Sequence, residues 1–176
     1  MPCVNAGLPR RVWVVGPCGS GKSTVARALA SRLGVEATNL DDLHWRPGWI
    51  EAPPEETARR VAAVAARPSW VIDGNYSRIR RALMARADLT VWLDLPFRVT
   101  FRRLLVRTLS RSIRGTPCCN GNRESLARAF LHRDSILLWA ITTHRRRRRQ
   151  LEEDLSGRPH VRLRTPREVR AWLATA

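Results

Sequence analysis

The chain alternates short apolar runs with longer stretches of helical periodicity. Arg11-Val12-Trp13-Val14-Val15 is a compact apolar run, and Val25-Ala26-Arg27-Ala28-Leu29-Ala30 after it has helical patterning. The pattern predicts a strand over 11–15 and a helix over 22–33, stopped by Gly34. Residues 36–40 read as a second strand ending on Asp41-Asp42, and 43–50 as a loop holding Trp45 and Trp49. Pro53-Pro54-Glu55-Glu56 opens a helix to about residue 66, with proline and acids at its positive end. Trp70-Val71-Ile72-Asp73 is a third strand, followed by a turn at Gly74-Asn75-Tyr76 and a helix over 78–87. A fourth strand covers 89–94 and a basic helix 97–113. The segment 115–122 is a loop, 124–155 one long helix and 160–163 a fifth strand. Thr165-Pro166-Arg167-Glu168 is a capping box that launches a last helix over 169–173, and residues 1–10 form a short tail. Strands alternating with helices predict an α/β domain with a parallel sheet and right-handed crossovers.

Between the first strand and helix lies Gly16-Pro17-Cys18-Gly19-Ser20-Gly21-Lys22-Ser23, which fits the G-x-x-x-x-G-K-[ST] phosphate-binding loop in its required strand–loop–helix setting. With Thr24 these residues form the predicted ATP cradle: glycines let backbone N–H groups approach phosphate, and the helix adds its positive end. Lys22 is expected on the β/γ-phosphates and the Ser23 hydroxyl on Mg2+. Of 32 Lys and Arg residues Lys22 is the sole lysine, so a compact point charge stands where a broad guanidinium would crowd the cradle.

In parallel sheets ligands bind at the carboxyl ends of the strands, which brings the P-loop, Asp41-Asp42, Asp73 and Asp94 to one edge. Asp73, closing a buried strand, is expected to hold Mg2+ through water. Asp41 or Asp42 is expected to take the proton of an acceptor hydroxyl, with helix capping as the alternative. Asp94 reads as structural. Arg103 and Arg107 form an i,i+4 pair suited to the anionic transition state of phosphoryl transfer, the alternative being a solvated basic face. The run Arg145–Arg149 wraps around a helix and reads as a solvated end. Trp45, Trp49 and Tyr76 read as core or as a stacking surface for the acceptor.

Composition narrows the classes. The chain of 176 residues is read as one domain with no apolar run of membrane-spanning length and no secretory leader. Cys3, Cys18, Cys118 and Cys119 show no disulfide or zinc spacing, which fits a reducing cytoplasm. The net charge of +17 admits a nucleic-acid surface, but the near-absence of lysine reads as a residue bias in favour of arginine. A GTPase is excluded because its N-K-x-D motif needs a second lysine. Gly74 after Asp73 argues against ATPases that polarise water with a glutamate there.

Five segments carry a family likeness: the P-loop, Leu40-Asp41-Asp42-Leu43-His44-Trp45 with Pro47-Gly48-Trp49, Trp70 to Tyr76, Leu93-Asp94-Leu95-Pro96 with its arginine helix, and Leu163 to Val169. Together they resemble P-loop kinases of the adenylate kinase class, and more closely the bacterial adenylate-kinase-related group named topology modulation proteins. The resemblance implies a three-layer P-loop fold with a five-stranded parallel sheet of order 2-3-1-4-5. It also implies an acceptor-side insertion at about 42–68 and a short helical lid at about 108–123. Arg103 and Arg107 fall where adenylate kinases carry lid-hinge arginines. Asp73-Gly74 matches the start of their D-G-F-P-R segment, but Asn75-Tyr76 follows, which argues against AMP as the acceptor. The Asp41-Asp42 pair resembles the acidic strand-two end of uridine and shikimate kinases. The expected function is γ-phosphoryl transfer from ATP to a small acceptor, with ATP, Mg2+ and that acceptor as partners. A nucleotide-binding, DNA-associated protein affecting DNA topology is the alternative.

Overall fold

The structure is a computed structural model and describes residues 9–131 and 135–176. Its elements in chain order are β1 (Arg11–Val15), α1 (Lys22–Leu33), β2 (Ala37–Asn39), α2 (Leu40–His44), β3 (Trp45–Arg46) and β4 (Ile50–Glu51). Then come α3 (Pro54–Ala65), β5 (Trp70–Asp73), α4 (Ser77–Arg86), β6 (Leu89–Leu93) and α5 (Phe97–Arg114). The chain continues through β7 (Pro117–Cys118), β8 (Asn122–Arg123), α6 (Leu126–Leu131), α7 (Ile136–Leu155), β9 (His160–Leu163) and α8 (Pro166–Thr175).

Five strands form one parallel sheet in the order β2-β5-β1-β6-β9. Numbered among themselves along the chain, these strands run 2-3-1-4-5, as the family likeness implies. Strand alternation sorts the core into two layers. Val12, Val14, Val71, Val91 and Leu93 face α1 and α8. Trp13, Val15, Trp70, Ile72 and Trp92 face α3, α4 and the end of α7. Trp13, Trp70 and Trp92 are the largest fully buried side chains, so the sheet centre is filled by indoles.

Four expectations need correcting. The second strand stops at Asn39, and Asp41-Asp42 lie in the first turn of α2, because the Asn39 side chain accepts the Asp41 N–H at 2.8 Å and caps a helix there. The two hairpins β3–β4 and β7–β8 stand where loops were expected. Residues 108–123, expected as a short helical lid, are the end of α5 followed by the β7–β8 hairpin. The single long helix is two, α6 and α7, with Ser135 capping the second at the Leu138 N–H. Residues 132–134 between them, the tail residues 1–8 with Cys3, and the Phe130 side chain lie outside the described residues. The Thr165–Glu168 capping box is present: Thr165 Oγ1 accepts from the Glu168 N–H at 3.1 Å, and a Glu168 carboxylate oxygen accepts from the Arg164 N–H at 2.8 Å. No described helix is long and apolar enough to cross a membrane.

Candidate active site

The P-loop leaves β1 at Gly16 and enters α1 through Gly21, whose φ of 95° is a left-handed conformation available cheaply to glycine. Gly19 is required for a different reason: a Cβ there would sit 2.2 Å from the Thr100 carbonyl oxygen of α5. The loop is thus pressed against α5 with no room for a side chain. The backbone N–H groups of Gly19, Gly21, Lys22 and Ser23 make no hydrogen bond among the described residues. They form a cluster of open donors at a helix N-terminus, the arrangement that receives phosphate. Buried Ser20 Oγ is likewise without a partner. These open donors and the orphaned hydroxyl fit an anion of triphosphate type. Lys22 Nζ donates to the Pro17 carbonyl at 3.0 Å, so the ammonium lies across the loop.

Asp73 ends β5 and is 3% exposed. Burial pushes its carboxyl above the ordinary aspartate range. The Lys22 cation and a hydrogen bond with Ser23 pull the other way, and Asp41 and Asp42 push it further up. Asp73, Ser23 and Lys22 are therefore neighbours, as the sequence predicts. A carboxylate, a hydroxyl and an adjacent ammonium are the hard-oxygen donor set and charge balance suited to Mg2+ beside phosphates.

Asp41 comes to the same edge from α2. Its Oδ1 accepts the Tyr76 hydroxyl at 2.7 Å, and the Tyr76 ring packs 4.7 Å from the His44 ring. Burial and Asp41 hold the tyrosine in its protonated, donating form. Asp42 is exposed, and its carboxyl is raised by partial burial and by Asp41. Of the expected aromatics, Tyr76 touches a candidate catalytic group, Asp41. Trp45 and Trp49 pack edge-to-face at 5.6 Å in the acceptor-side hairpin, half-buried and outside the core.

Asn75 brackets the start of the P-loop, with Oδ1 accepting from the Gly16 N–H at 3.2 Å and Nδ2 donating to the Gly16 carbonyl at 2.6 Å. The Asn75 carbonyl in turn accepts from Arg147 Nη1 at 3.0 Å. The arginine run is accordingly not a solvated helix end: α7 continues to Leu155, Arg147 is half-buried over the Trp139 ring at 4.1 Å, and Arg148 pairs with Asp94. Asp94 is structural as expected, holding Arg148 and Arg162. Sequence reasoning missed Asn75 and Arg147. The Asp-Gly-Asn-Tyr segment marked the first only as part of a likeness. For Arg147 no local signal exists, because five identical residues hide which one faces inward.

Arg103 and Arg107 are exposed on α5. Neither makes a hydrogen bond or ion pair among the described residues, though Arg107 lies close enough to influence the Cys118 thiol. The β7–β8 hairpin is fastened to the β3–β4 hairpin. Asn120 Nδ2 donates to the carbonyls of Asp42 and Trp45, both at 2.6 Å. Asn122 Nδ2 donates to the Arg46 carbonyl at 2.9 Å while its Oδ1 accepts the Trp49 N–H at 2.8 Å. Trp49 Nε1 completes the clasp on the Arg123 carbonyl at 3.2 Å.

A shikimate kinase from Nitratidesulfovibrio vulgaris is 34% identical over 113 residues, which are 53% of this chain and 62% of that enzyme. A shikimate kinase from Halorhodospira halophila is 38% identical over 65 residues, 37% of each chain. The chain thus spans about three fifths or less of the length of these curated relatives. No protein-family model matches it. Among solved structures, a gluconokinase from Sinorhizobium meliloti 1021 aligns over 95% of this chain and 93% of its own, with a TM-score of 0.54 and 22% identity. A shikimate kinase from Acinetobacter baumannii in complex with shikimate aligns over 96% and 90%, with a TM-score of 0.58 and 17% identity. The chain has the α/β P-loop kinase fold.

Proposed function

We propose that this protein is an ATP-dependent phosphotransferase that moves the γ-phosphoryl group to a hydroxyl of a small, acidic acceptor. The observation that carries the reading is the meeting of Lys22, Ser23 and buried Asp73 at the mouth of an open-donor P-loop, with Asp41 facing them from α2. Lys22 and the α1 N-terminus hold the phosphates, and Ser23 and Asp73 hold Mg2+. The metal, when bound, neutralises phosphate charge. Asp41, kept in place by Tyr76, accepts the proton of the acceptor hydroxyl. Arg103 and Arg107 supply cations to the phosphates from the lid side. The clasped 42–68 insertion and β7–β8 hairpin border the acceptor side of the site.

Arg147 supports the acidic nature of the acceptor. Buried Arg80 has Asp154, and Arg162 has Asp94 and Glu152. Arg147, half-buried, pairs with no carboxylate among the described residues; it donates to the Asn75 carbonyl and lies over the Trp139 ring. A half-buried cation without an acid favours an anion nearby, and an acidic acceptor would supply one. Shikimate, bound in the Acinetobacter enzyme, is a hydroxylated acid of this kind.

The test is a phosphoryl-acceptor panel with ATP and Mg2+, spanning hydroxy acids, neutral polyols and nucleosides, run with the wild type and Lys22→Ala. Turnover is expected with a hydroxy acid and is expected to vanish in Lys22→Ala. Unchanged ATP binding and turnover in that variant would sink the reading. Failure across the whole panel would shift weight to the DNA-associated alternative.

A further inference from the structure

The turn over residues 73–76 brings Asp73 beside the P-loop and Tyr76 onto Asp41, and between them the Asn75 side chain has a task that the phosphotransferase reading leaves open. Gly16 lies one residue past β1, where the ladder to β5 and β6 has ended. Its backbone groups still need partners. The Asn75 side chain supplies both: Oδ1 accepts the Gly16 N–H at 3.2 Å, and Nδ2 donates to the Gly16 carbonyl at 2.6 Å. A side-chain amide thus pairs with the N–H and C=O of one residue together, as facing residues of two strands do. The peptide it meets also fixes its direction. Turned over, the amide would set NH2 against N–H and oxygen against oxygen.

The aim of that side chain is set from outside the turn. Trp13 Nε1, fully buried in β1, donates to the Gly74 carbonyl at 3.1 Å. Arg147 Nη1 donates to the Asn75 carbonyl at 3.0 Å. The peptides before and after the Asn75 Cα are therefore each tied to a distant element, β1 and α7. The hold passes on into the P-loop. The Gly16 carbonyl belongs to the peptide with Pro17, which has no N–H, so Asn75 Nδ2 grips the one hydrogen-bonding group that this peptide has. The next carbonyl, that of Pro17, accepts Lys22 Nζ at 3.0 Å and the Ser20 N–H at 3.2 Å. Asn75 thus holds the stretch of backbone on which the lysine and the turn of the loop rest.

We infer that Asn75 is a positioning residue for the phosphate cradle. Its amide fixes the first peptide of the P-loop, and through that peptide the place of Lys22 and of the open N–H donors at Gly19, Gly21, Lys22 and Ser23. Arg147 acts one step further back, by holding Asn75. Donors converge on one anion only when their supports keep them within about 0.5 Å of the right geometry. The inference rests on the phosphotransferase reading in one respect, that the ligand of the loop is a triphosphate.

The test reads binding and needs no acceptor. Equilibrium binding of ATP and of inorganic tripolyphosphate, each with Mg2+, is measured on the full chain as wild type, Asn75→Ala, Asn75→Leu and Arg147→Ala. Amide exchange at Gly16 and Val14 is followed by NMR on the same proteins. Asn75→Ala is expected to weaken ATP and tripolyphosphate by the same factor, about tenfold, because the loss lies in the phosphate contacts. Asn75→Leu, of nearly the same shape, removes both bonds without leaving a gap, and the same loss is expected; it carries the test should Asn75→Ala not fold. Gly16 exchange is expected to rise about tenfold or more in both variants while Val14 in the central sheet keeps its protection. It is expected to rise in Arg147→Ala as well, although Arg147 reaches Gly16 only through Asn75. Unchanged affinities in the Asn75 variants overturn the positioning role. A loss for ATP without one for tripolyphosphate overturns its placement at the phosphates. Exchange that rises equally at Val14 overturns it in favour of a general structural role. Unchanged Gly16 exchange in Arg147→Ala overturns the link to α7. A wild type that binds neither ligand overturns the phosphate cradle itself, and with it the phosphotransferase reading.

Discussion

Asp73 shows what a candidate catalytic carboxylate costs the fold. It is buried at the end of β5, and burial outweighs the attraction of Lys22 and Ser23, so its carboxyl sits above the ordinary range. A carboxyl with a higher pKa folded than unfolded binds its proton more tightly in the folded chain. Its linkage term therefore lowers stability as pH rises through the window from the ordinary aspartate value to the raised one. Asp73→Asn keeps the shape and removes the buried charge. At pH 7 the variant is expected to melt about 2–4 °C above wild type. The difference should shrink as pH falls through that window. Its affinity for Mg2+–ATP is expected to drop about 10–100-fold, the usual scale for disturbing a metal's supporting ligands. Thermal melts across pH, paired with nucleotide titrations, check both parts. A variant less stable than wild type at pH 7 would contradict the assignment of burial as the dominant influence.

At the scale of elements, the two small hairpins depend on each other. Each has strands of two residues, too short to persist alone in water. Asn122, 4% exposed, joins them by bonding to one N–H and two carbonyls. Asn122→Ala removes its bonds to the Trp49 N–H and to the Arg46 and Cys119 carbonyls, at a cost of about 1–3 kcal/mol. The loss is local, so amide exchange at Trp49 is expected to accelerate about tenfold or more while β1, β5 and β6 keep their protection. Exchange that rises equally in the central sheet would show that the clasp is part of the global fold. The dependence also explains what could be read from the sequence. β1, β5, α1 and β9 were legible because their apolar runs and glycine stops act within a few residues. The P-loop with Lys22, Ser23 and Asp73 was legible because strand ends bring those residues to one edge. The helical placement of Asp41, the hairpins and the clasp were not, because they rest on single side chains, Asn39, Asn120 and Asn122, reaching backbone atoms that are distant or out of pattern. The bond from Tyr76 to Asp41 spans 35 residues and leaves no periodic trace.

For the whole molecule the open question is the charge of +17. Many of the acids are engaged by arginines: Asp94, Glu152, Asp154, Asp88, Glu56 and Glu124 each hold at least one. With 15 acids against 32 Lys and Arg residues, most cations have no acidic partner to take. On α5, Arg98, Arg102, Arg103, Arg107 and Arg114 are exposed. At about 100° per residue, Arg103, Arg107 and Arg114 share one side of the helix, and Arg98 and Arg102 lie on another. Cations spread in this way attract any polyanion without reading its sequence. The positive field is therefore expected to bind duplex DNA at about 50 mM salt and to release it by about 200 mM, with a steep log–log salt slope and no preference among sequences. Fluorescence anisotropy of labelled duplexes over that range measures it. Binding that survives at the upper salt and discriminates between sequences would instead favour a dedicated nucleic-acid surface. Arg103 and Arg107 would then have to be shared between DNA and the proposed phosphate site, and ATP should compete with DNA for the protein.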